Sequence, residues 1–432
     1  MTSAANKFSF AGAVCVALSV VIASAQGPAP KPISRDAAIQ ISIENNRELK
    51  VASLEIERAR ARLRWAGLLP NPELEVAASD DFIGNNDREN SVEIAFTQRF
   101  PVTSRLNDEK VLRREQVELA QIEFTVRQRQ LAAEVDKAWL ALSAAKNLVE
   151  LQRRLLGLNQ EIVTFLSGRA KVGEASSLDV NQAELNGKQI EQKVSISQSA
   201  VVTADGKLKQ LVGVDQSENL TIAESLALPS GGPAQAVSFK EALENRPDFV
   251  ALLFKAEVGE AKLELAIAQR WEDIEVKVFL ATENSVDDPE GLDRNNFAGI
   301  GFSIPLPLRN KNQEAIEQAR IDLEEVRRVR AVKAFAIRSE LQVALKARDN
   351  AYKLAVQAGG ELLELAKRNF EEFKKAQQIG QANLLQVQQA QQRMLELETT
   401  AVDMRSSYFQ ADAEVRFIAG LYPIPKVRAS SK

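Results

Sequence analysis

The chain of 432 residues carries 55 Lys and Arg against 59 Asp and Glu, so its formal net charge of -4 offers no basic surface for nucleic acid. It contains no histidine, and its single cysteine, Cys15, lies near the N-terminus. The rest of the chain therefore cannot form a zinc site from His or Cys ligands. It also cannot form a Ser-His-Asp or Cys-His catalytic set. Aromatic residues make up only 6%, and much of the apolar content is Ala, Leu and Val, which favours slender helix packing over one large core.

Residues 1–25 have the pattern of a secretory signal peptide. Lys7 supplies the positive n-region, Phe8–Ile22 is a mostly apolar h-region, and residues 23–25 match the small-x-small cleavage pattern. An N-terminal membrane anchor is the alternative, although the apolar run is short for a membrane span. Lipidation at Cys15 would need a cleavage site in the middle of this run, where the sequence offers a poor one. No later segment has ~18 consecutive apolar residues, so no transmembrane helix is predicted after it.

The sequence predicts two copies of one domain. The segment that starts at Val172-Gly173 resembles the segment that starts at Ile379-Gly380, about 207 residues later, and a period this long indicates a duplicated domain rather than a solenoid. We expect a first repeat at residues 26–228, a linker at 229–237, a second repeat at 238–422 and a flexible tail at 423–432.

Each repeat has the same predicted order: a short amphipathic helix, a second helix, two strands, a very long helix, a Gly-containing turn and a last helix. The short helices are predicted at 34–46 and 238–245, and the second helices at 49–67 and 249–270. In the first repeat, the long helix is predicted at 103–167, the last helix at 178–211 and a further strand at 220–228.

Apolar and polar residues alternate with a period of two in four segments, which predicts four strands, each with one apolar and one polar face. About ten residues of tilted strand cross the ~25 Å apolar band of an outer membrane. Polar stretches at Gly84–Asn90 and Asn284–Asn296 are predicted as hairpin tips. An ordinary half-buried sheet is the alternative. The strands are placed at about residues 73–82, 91–100, 273–282 and 297–306.

Heptad spacing marks the long helices, with small residues at seam positions that allow close helix approach. A helix of ~65 residues would be a rod of about 95 Å. A fibrous coiled coil would share this pattern but would not explain hairpins at matched points of two repeats. The Gly359-Gly360 pair predicts a kink. The seams are Leu131, Val135, Ala138, Leu142, Ala145 and Val149, and Ile337, Leu341, Ala344, Ala351, Ala355, Ala358, Leu362 and Leu365.

One chain supplies four strands, and an open sheet edge cannot face lipid, so several chains must associate to close a barrel. Two chains would give about 8 strands, whose interior is filled by side chains, whereas 12 or more leave a conduit. The polar strand faces would then line water. The candidate lumen residues are Glu93, Arg99, Glu275 and Lys277.

The duplicated plan, the segment Ala242–Asp248 and the two Gly-containing turns together resemble the TolC family of outer-membrane efflux proteins, from about Ile33 to Leu421. The spacing is also similar to the CzcC-like heavy-metal and cation efflux branch. The resemblance implies a homotrimer with a 12-stranded outer-membrane β-barrel, continued by a long α-helical tunnel in the periplasm. It also implies docking to a periplasmic adaptor (a membrane fusion protein) and an inner-membrane pump.

The resemblance further implies that the two Gly-containing turns form the periplasmic tip, with Gly173 and Gly380 at the turns. Asp179 matches an acidic position of the family just after the first turn. Gln386 and Gln389 stand where related proteins carry acidic residues after the second turn, so we expect a weaker cation block at the entrance. A solvated helix face is the alternative for these glutamines.

The sequence therefore predicts a mixed α and transmembrane β protomer of an export duct for small molecules or metal cations. Transport would be passive and driven by a partner pump, with no cofactor, no bound metal and no catalysis. The first alternative is a periplasmic coiled-coil adaptor or scaffold without a channel. The second is a carboxylate enzyme, although no acidic residue stands in a recognisable pocket motif.

Overall fold

The computed structural model describes residues 32–80, 89–223, 227–235, 237–287 and 291–424. The predicted signal at residues 1–25, most of the first hairpin tip and the end of the predicted tail lie outside this part of the chain. The described residues form helices joined to one antiparallel sheet. None of these helices is both long enough and apolar enough to cross a membrane.

The same order of elements occurs in both halves of the chain, except that the long helix of the second half is interrupted. In the first half the elements are α1 (Arg35–Asn45), α2 (Arg47–Arg64), β1 (Glu73–Asp80), β2 (Asn90–Phe100), α3 (Arg105–Lys171) and α4 (Ser177–Val212). In the second half they are α5 (Phe239–Asn245), α6 (Pro247–Ala268), β3 (Ile274–Asp287), β4 (Gly291–Ser303), α7 (Gln313–Ala358), α8 (Glu361–Gln378) and α9 (Leu384–Ile418).

Side-chain caps determine where the short helices begin. The Ser34 hydroxyl accepts a hydrogen bond from the Ala37 amide at 3.2 Å, so α1 starts one residue after Ser34. Ser238 and Glu241 form a reciprocal capping box at the start of α5. Pro247 occupies the first turn of α6, where its missing N–H costs no helical hydrogen bond.

The four strands form one sheet in the order β1-β2-β3-β4, with every pair antiparallel. The prediction that Asn284–Asn296 is a hairpin tip was wrong for most of this segment, because β3 continues to Asp287 and β4 begins at Gly291. Main-chain pairing does not require apolar side chains, so the polar residues extend the ladder. The fourth strand ends at Ser303 rather than at residue 306, just before Pro305, which has no N–H to donate.

The helices pack in two layers that share α3, which has 67 residues. In the layer nearer the sheet, the helices are adjacent in the order α2-α3-α6-α7. In the layer further from the sheet, α4 packs on one side of α3 and α9 packs on the other. The α9 helix in turn contacts α7 and α8. The predicted seam of α3 is confirmed, because Leu131, Val135, Ala138, Leu142 and Val149 are all buried. Ala145 is only partly buried.

The Gly359-Gly360 pair ends one helix and precedes another, so the predicted kink is a complete break between α7 and α8. The break also moves the buried face by one residue. Leu362 and Leu365, which were predicted to continue the seam, are 55% and 45% exposed, whereas the adjacent Leu363 is buried. The heptad prediction was therefore wrong beyond residue 358, because a uniform period cannot anticipate the change of phase at a break.

The predicted strand at 220–228 is absent among its described residues. Ile222 forms only an isolated parallel bridge with Ile33, and residues 224–226 lie outside the described part. The single bridge holds the start of the described chain beside the segment that leaves α4. The Trp139 indole N–H donates to the Ile33 carbonyl at 3.2 Å and attaches both segments to α3.

Two glycines close corresponding helices in the same way. Gly213 after α4 and Gly420 after α9 have φ of 82° and 70°, the left-handed conformation common after helix ends. A Cβ on either would lie 2.7 Å from a carbonyl oxygen, that of Asn45 or of Asn245 respectively. The end of α1 therefore lies against the end of α4, and the end of α5 against the end of α9. Only glycine permits this close approach.

Candidate functional site

The four predicted lumen residues lie on one face of the sheet, and the structure brings them together. The Lys277 ammonium is 2.5 Å from the Glu93 carboxylate, and the Arg99 guanidinium is 3.4 Å from the Glu275 carboxylate. Arg99 and Glu275 are direct cross-strand partners in the β2–β3 pair. The two ion pairs thus link the central strands on their polar face.

Sequence reasoning did not include two further carboxylates of this cluster. Glu73 on β1 is 3.5 Å from Arg99, and Glu75 is 3.7 Å from Lys277. The sequence does contain a signal for them, because Glu73 and Glu75 alternate with Leu74 and Val76. This strand has the weakest alternation of the four. Four carboxylates therefore surround two cations, and the polar face has an excess of negative charge.

The opposite face of the sheet exposes rows of apolar side chains that cross all four strands. One row consists of the paired residues Leu74, Phe96, Val278 and Ile300, each between 48% and 71% exposed. Towards the hairpin tips a polar row crosses all four strands on the same face: Asp80, Asn90, Asn284 and Arg294. Beyond it, the longer β3–β4 hairpin adds one more apolar pair, Val286 and Leu292. An exposed apolar band with a polar border is the pattern of a surface that is covered by another apolar phase.

Two aromatic residues, Phe279 and Phe297, lie on the polar face. Phe279 packs over Gly299, its cross-strand partner, and a Cβ at Gly299 would be 2.4 Å from the ring. The Phe279 ring therefore covers the Gly299 backbone, and any side chain at this position would force the ring to move.

The first predicted tip turn lies between α3 and α4, at the end of the molecule furthest from the sheet. Gly173 has φ of 80°, and the Ser176 hydroxyl accepts from the Leu178 amide at 3.1 Å to start α4. Asp179 lies in the first turn of α4, partly exposed, where the helix dipole favours a carboxylate.

The second predicted tip turn joins α8 to α9 and contains Gly380, with φ of 78°. Here Gln386 has a role that the sequence analysis did not assign. Its side-chain oxygen accepts from the Asn383 amide at 3.0 Å, while the Asn383 side chain accepts from the Gln386 amide at 2.9 Å. This capping box starts α9. Gln389, one turn later, is exposed.

The two turns are held side by side. Arg169 of α3 donates to the Gln377 carbonyl at 3.4 Å, and Lys374 of α8 forms an ion pair with Glu161 at 2.7 Å. Beneath these contacts the helices share a buried cluster that includes Phe370 and Val387. The predicted tip residues therefore form a second group, separated from the sheet by the length of α3, about 100 Å at ~1.5 Å per residue.

Between these two groups, a buried ionic cluster joins α3, α6 and α9. The Asp248 carboxylate accepts from Arg129 and from Arg246, each at 2.6 Å, and Lys333 lies 3.4 Å away. Arg129 also donates to the Phe417 carbonyl at 2.8 Å, near the end of α9. Burial disfavours the charged carboxylate, but the hydrogen bond from Arg246 and the nearby cations outweigh it and lower the pKa of Asp248 to about 2.

A matching cluster surrounds Asp136, which is fully buried on α3. Asp136 pairs with Arg35 of α1 and accepts from the Tyr422 hydroxyl at 2.8 Å. Burial and the Asp136 charge raise the pKa of Tyr422, so the hydroxyl remains a donor. The two clusters fasten α1, the start of α6 and the end of α9 to α3.

One set of carboxylates among the described residues could share a cation. Glu115 and Glu118 of α3 and Glu257 of α6 place one oxygen each within 4.8 Å of one another. Such oxygen ligands suit hard cations, but the set lies at neither predicted group and we assign it no role.

The family model for outer membrane efflux proteins matches residues 38–214 and 239–421. The cobalt-zinc-cadmium resistance protein CzcC of Cupriavidus metallidurans is 24% identical over 293 residues, which are 67% of this chain and 67% of CzcC.

Solved structures show the same fold. A membrane protein from Pseudomonas aeruginosa superimposes with a TM-score of 0.71 at 18% identity, over 89% of this chain and 93% of the other. The open state of the MtrE outer membrane channel of Neisseria gonorrhoeae gives 0.68 at 16% identity, over 89% and 88%. CusC, described by its transmembrane channel formation, gives 0.68 at 18%, over 89% and 92%. The TolC-type resemblance is thus confirmed, and the chain belongs to the outer membrane efflux protein family.

Proposed function

We propose that three copies of this chain form a passive export duct, with a 12-stranded β-barrel in the outer membrane and an α-helical tunnel in the periplasm. The observation that carries this proposal is that every layer of the protomer is open at the same two edges. β1, α2 and α4 of the first half form one edge, and β4, α7 and α8 of the second half form the other.

The sheet cannot remain open in a membrane. Its two outer strands each present a row of main-chain N–H and C=O groups without a strand partner among the described residues, and such groups are costly to expose to lipid. Joining β4 of one copy to β1 of the next satisfies both rows. Three copies supply 12 strands, enough to leave a conduit where about 8 strands would fill their own interior.

The dimensions and the two faces of the sheet agree with this assignment. The second strand has 11 residues, and at ~3.3 Å per residue and a tilt of about 40° it spans nearly 28 Å, close to the ~25 Å apolar band. The exposed apolar rows would face lipid, and the face with Glu93, Arg99, Glu275 and Lys277 would face water.

The helical edges carry exposed apolar side chains that a neighbouring copy would cover. Val51 on α2 and Phe335 on α7 are 66% and 76% exposed, and Leu185 on α4 and Leu362 on α8 are 54% and 55% exposed. Head-to-tail contacts between two different edges close into a ring when the rotation allows it. The same rotation would close the sheet and the helices together.

We place the barrel in the outer membrane and the tip in the periplasm, where an adaptor and an inner-membrane pump would dock. The pump would supply the energy, because the duct itself performs no chemistry. Adaptor binding would open the tip only by its greater affinity for the open state. The name of the relative CzcC and the acidic polar face support metal cations as one class of cargo.

The test of the architecture is the native mass of the protein extracted from isolated outer membranes in mild detergent, followed by single-channel recording. Three copies per particle and ohmic conductance are expected. A monomer in the soluble periplasmic fraction would overturn the barrel and would favour the coiled-coil scaffold.

The tip assignment needs its own test. Asp179→Ala and Gln386→Ala are expected to change conductance in the presence of the adaptor, with Glu184→Ala, an exposed position further along α4, as the control. Unchanged conductance in both tip variants would remove Asp179 and Gln386 from the gate. Gly173, Gly380 and Gln389 would then lose their support as well.

A further inference from the structure

A cavity of about 600 Å³ lies at the foot of the polar sheet face, where α6 passes into β3, and its volume is within the ~300–1,000 Å³ range of small-molecule sites. Its lining includes one aromatic side chain, Trp271, which is 45% exposed. The remaining lining residues are mainly charged, with Pro70 and Pro305 at the edges.

Some charged side chains of the cavity are in ion pairs with other described residues, and one is not. Arg105 holds Asp273 through two hydrogen bonds, at 3.2 and 2.6 Å, and Arg99 is engaged by Glu275. Both guanidinium groups are therefore committed to neighbouring carboxylates. Glu272, next to Trp271 and exposed, forms no ion pair in the described part of the chain.

An exposed indole and an exposed carboxylate that line the same cavity are suited to one class of ligand. Cations are attracted to the face of a tryptophan ring, and a carboxylate in the same cavity adds Coulombic attraction. A hydrated metal ion gains little from an indole, whereas an organic ammonium presents apolar C–H surface to the ring and its charge to the carboxylate.

We propose that Trp271 and Glu272 form a binding subsite for organic cations on the export path. The inference deepens the proposed function, because it assigns a cargo class to a point on the polar face. It differs from the metal-cation cargo that the relative suggests. Three copies in the assembled duct would present three such subsites.

The chain contains three tryptophans, so the subsite can be observed directly. In the Trp65→Phe, Trp139→Phe variant, the fluorescence of the oligomer in detergent comes from Trp271. Benzyltrimethylammonium is expected to quench it saturably, and phenylmethanesulfonate, of similar size and opposite charge, is not. Glu272→Gln is expected to weaken benzyltrimethylammonium binding about fivefold, as the loss of one partly exposed charge contact implies.

Glu283→Gln is the matched control, since Glu283 is an exposed carboxylate on β3, on the same face but nearer the hairpin tip. Equal quenching by both probes, or equal affinity in the Glu272→Gln and Glu283→Gln variants, would overturn the subsite. If zinc chloride quenched the Trp271 fluorescence at a lower concentration than benzyltrimethylammonium, organic cations would not be the cargo class of this subsite. Single-channel recording on the same preparation separates these results from failure of the proposed function, because a protein that conducts but does not bind loses only the subsite.

Discussion

Replacement of Asp248 by Asn is expected to destabilise the folded chain by about 2 kcal/mol. The carboxylate has its pKa lowered from 3.8 to about 2, and each unit corresponds to roughly 1.4 kcal/mol of preference for the ionised form. Asn keeps the shape of the side chain and removes only the charge. The Arg129 and Arg246 side chains, 2% and 4% exposed, then lose the anion that they share, and Arg246 keeps Glu340, at 3.4 Å, as an ion-pair partner.

The buried ion pair sets an upper limit on this loss of stability. Removing one partner of a buried ion pair costs about 3–5 kcal/mol, because the remaining charge is left without compensation. Arg129 and Arg246 retain the carbonyls of Phe417 and Ile418 as acceptors, which reduces the penalty. A loss between these figures would agree with the geometry.

The measurement is urea unfolding of the detergent-solubilised protein, followed by far-ultraviolet circular dichroism at one fixed protein concentration, since an oligomer's stability depends on concentration. Asp322→Asn is the control, because Asp322 forms an exposed ion pair with Lys262 at 2.7 Å, which is worth less than about 1 kcal/mol. Equal shifts in the two variants would refute the claim that the Asp248 cluster fastens the helices.

The pH dependence gives the same prediction a second readout. Because the folded-state pKa of Asp248 is lowered, its contribution is present above the unfolded pKa near 3.8 and is lost as the pH falls through about 2. The stability difference between the wild type and the Asp248→Asn variant should therefore be nearly full above about pH 5 and should fall to a small fraction by about pH 2. A difference that is undiminished at about pH 2 would assign the effect to something other than the charge.

Two further predictions concern the sheet. Gly299→Ala places a Cβ 2.4 Å from the Phe279 ring, so the oligomer should dissociate at a lower temperature on a detergent gel. Adding Phe279→Ala to the same chain should restore the dissociation temperature. If it did not, a clash with the ring would not be the cause. Lys277→Gln removes the cation that contacts Glu93 and Glu75, so reversal potentials in planar bilayers should shift towards greater cation selectivity; an unchanged potential, as expected for Lys262→Gln on an exposed helix, would place Lys277 outside the lumen.

The sequence was sufficient where a simple period matches the structure. The seam of α3 is buried as its heptads predict, and the polar faces of β2 and β3 carry the four residues that alternation selected. The same reasoning failed where the backbone changes phase. The Gly359-Gly360 break shifts the buried face from Leu362 to Leu363, and a single period carried across the break misses the shift.

Other features depend on contacts between distant parts of the chain. The polar ends of β3 and β4 pair because the two strands are already aligned below them, although their composition is typical of loops. Gln386 was interpreted only as a tip residue, although Asn383 three positions earlier is the signature of a capping box. The Asp248 cluster gathers Arg129 from 119 residues away, which spacing along the sequence does not reveal.

The pairing of β2 with β3 imposes an order on how the protein folds. Phe100 is the partner of Ile274, so the centre of the sheet cannot form until the chain has been synthesised through β3, in the first third of the second repeat. The helical hairpin of α3 and α4 needs only local contacts and should form early, because distant pairings carry the larger loop-closure entropy. During that interval the apolar row of Leu74 and Phe96 remains in water, and such exposed strands promote aggregation. We therefore expect the nascent chain to depend on a holding chaperone until its second repeat arrives.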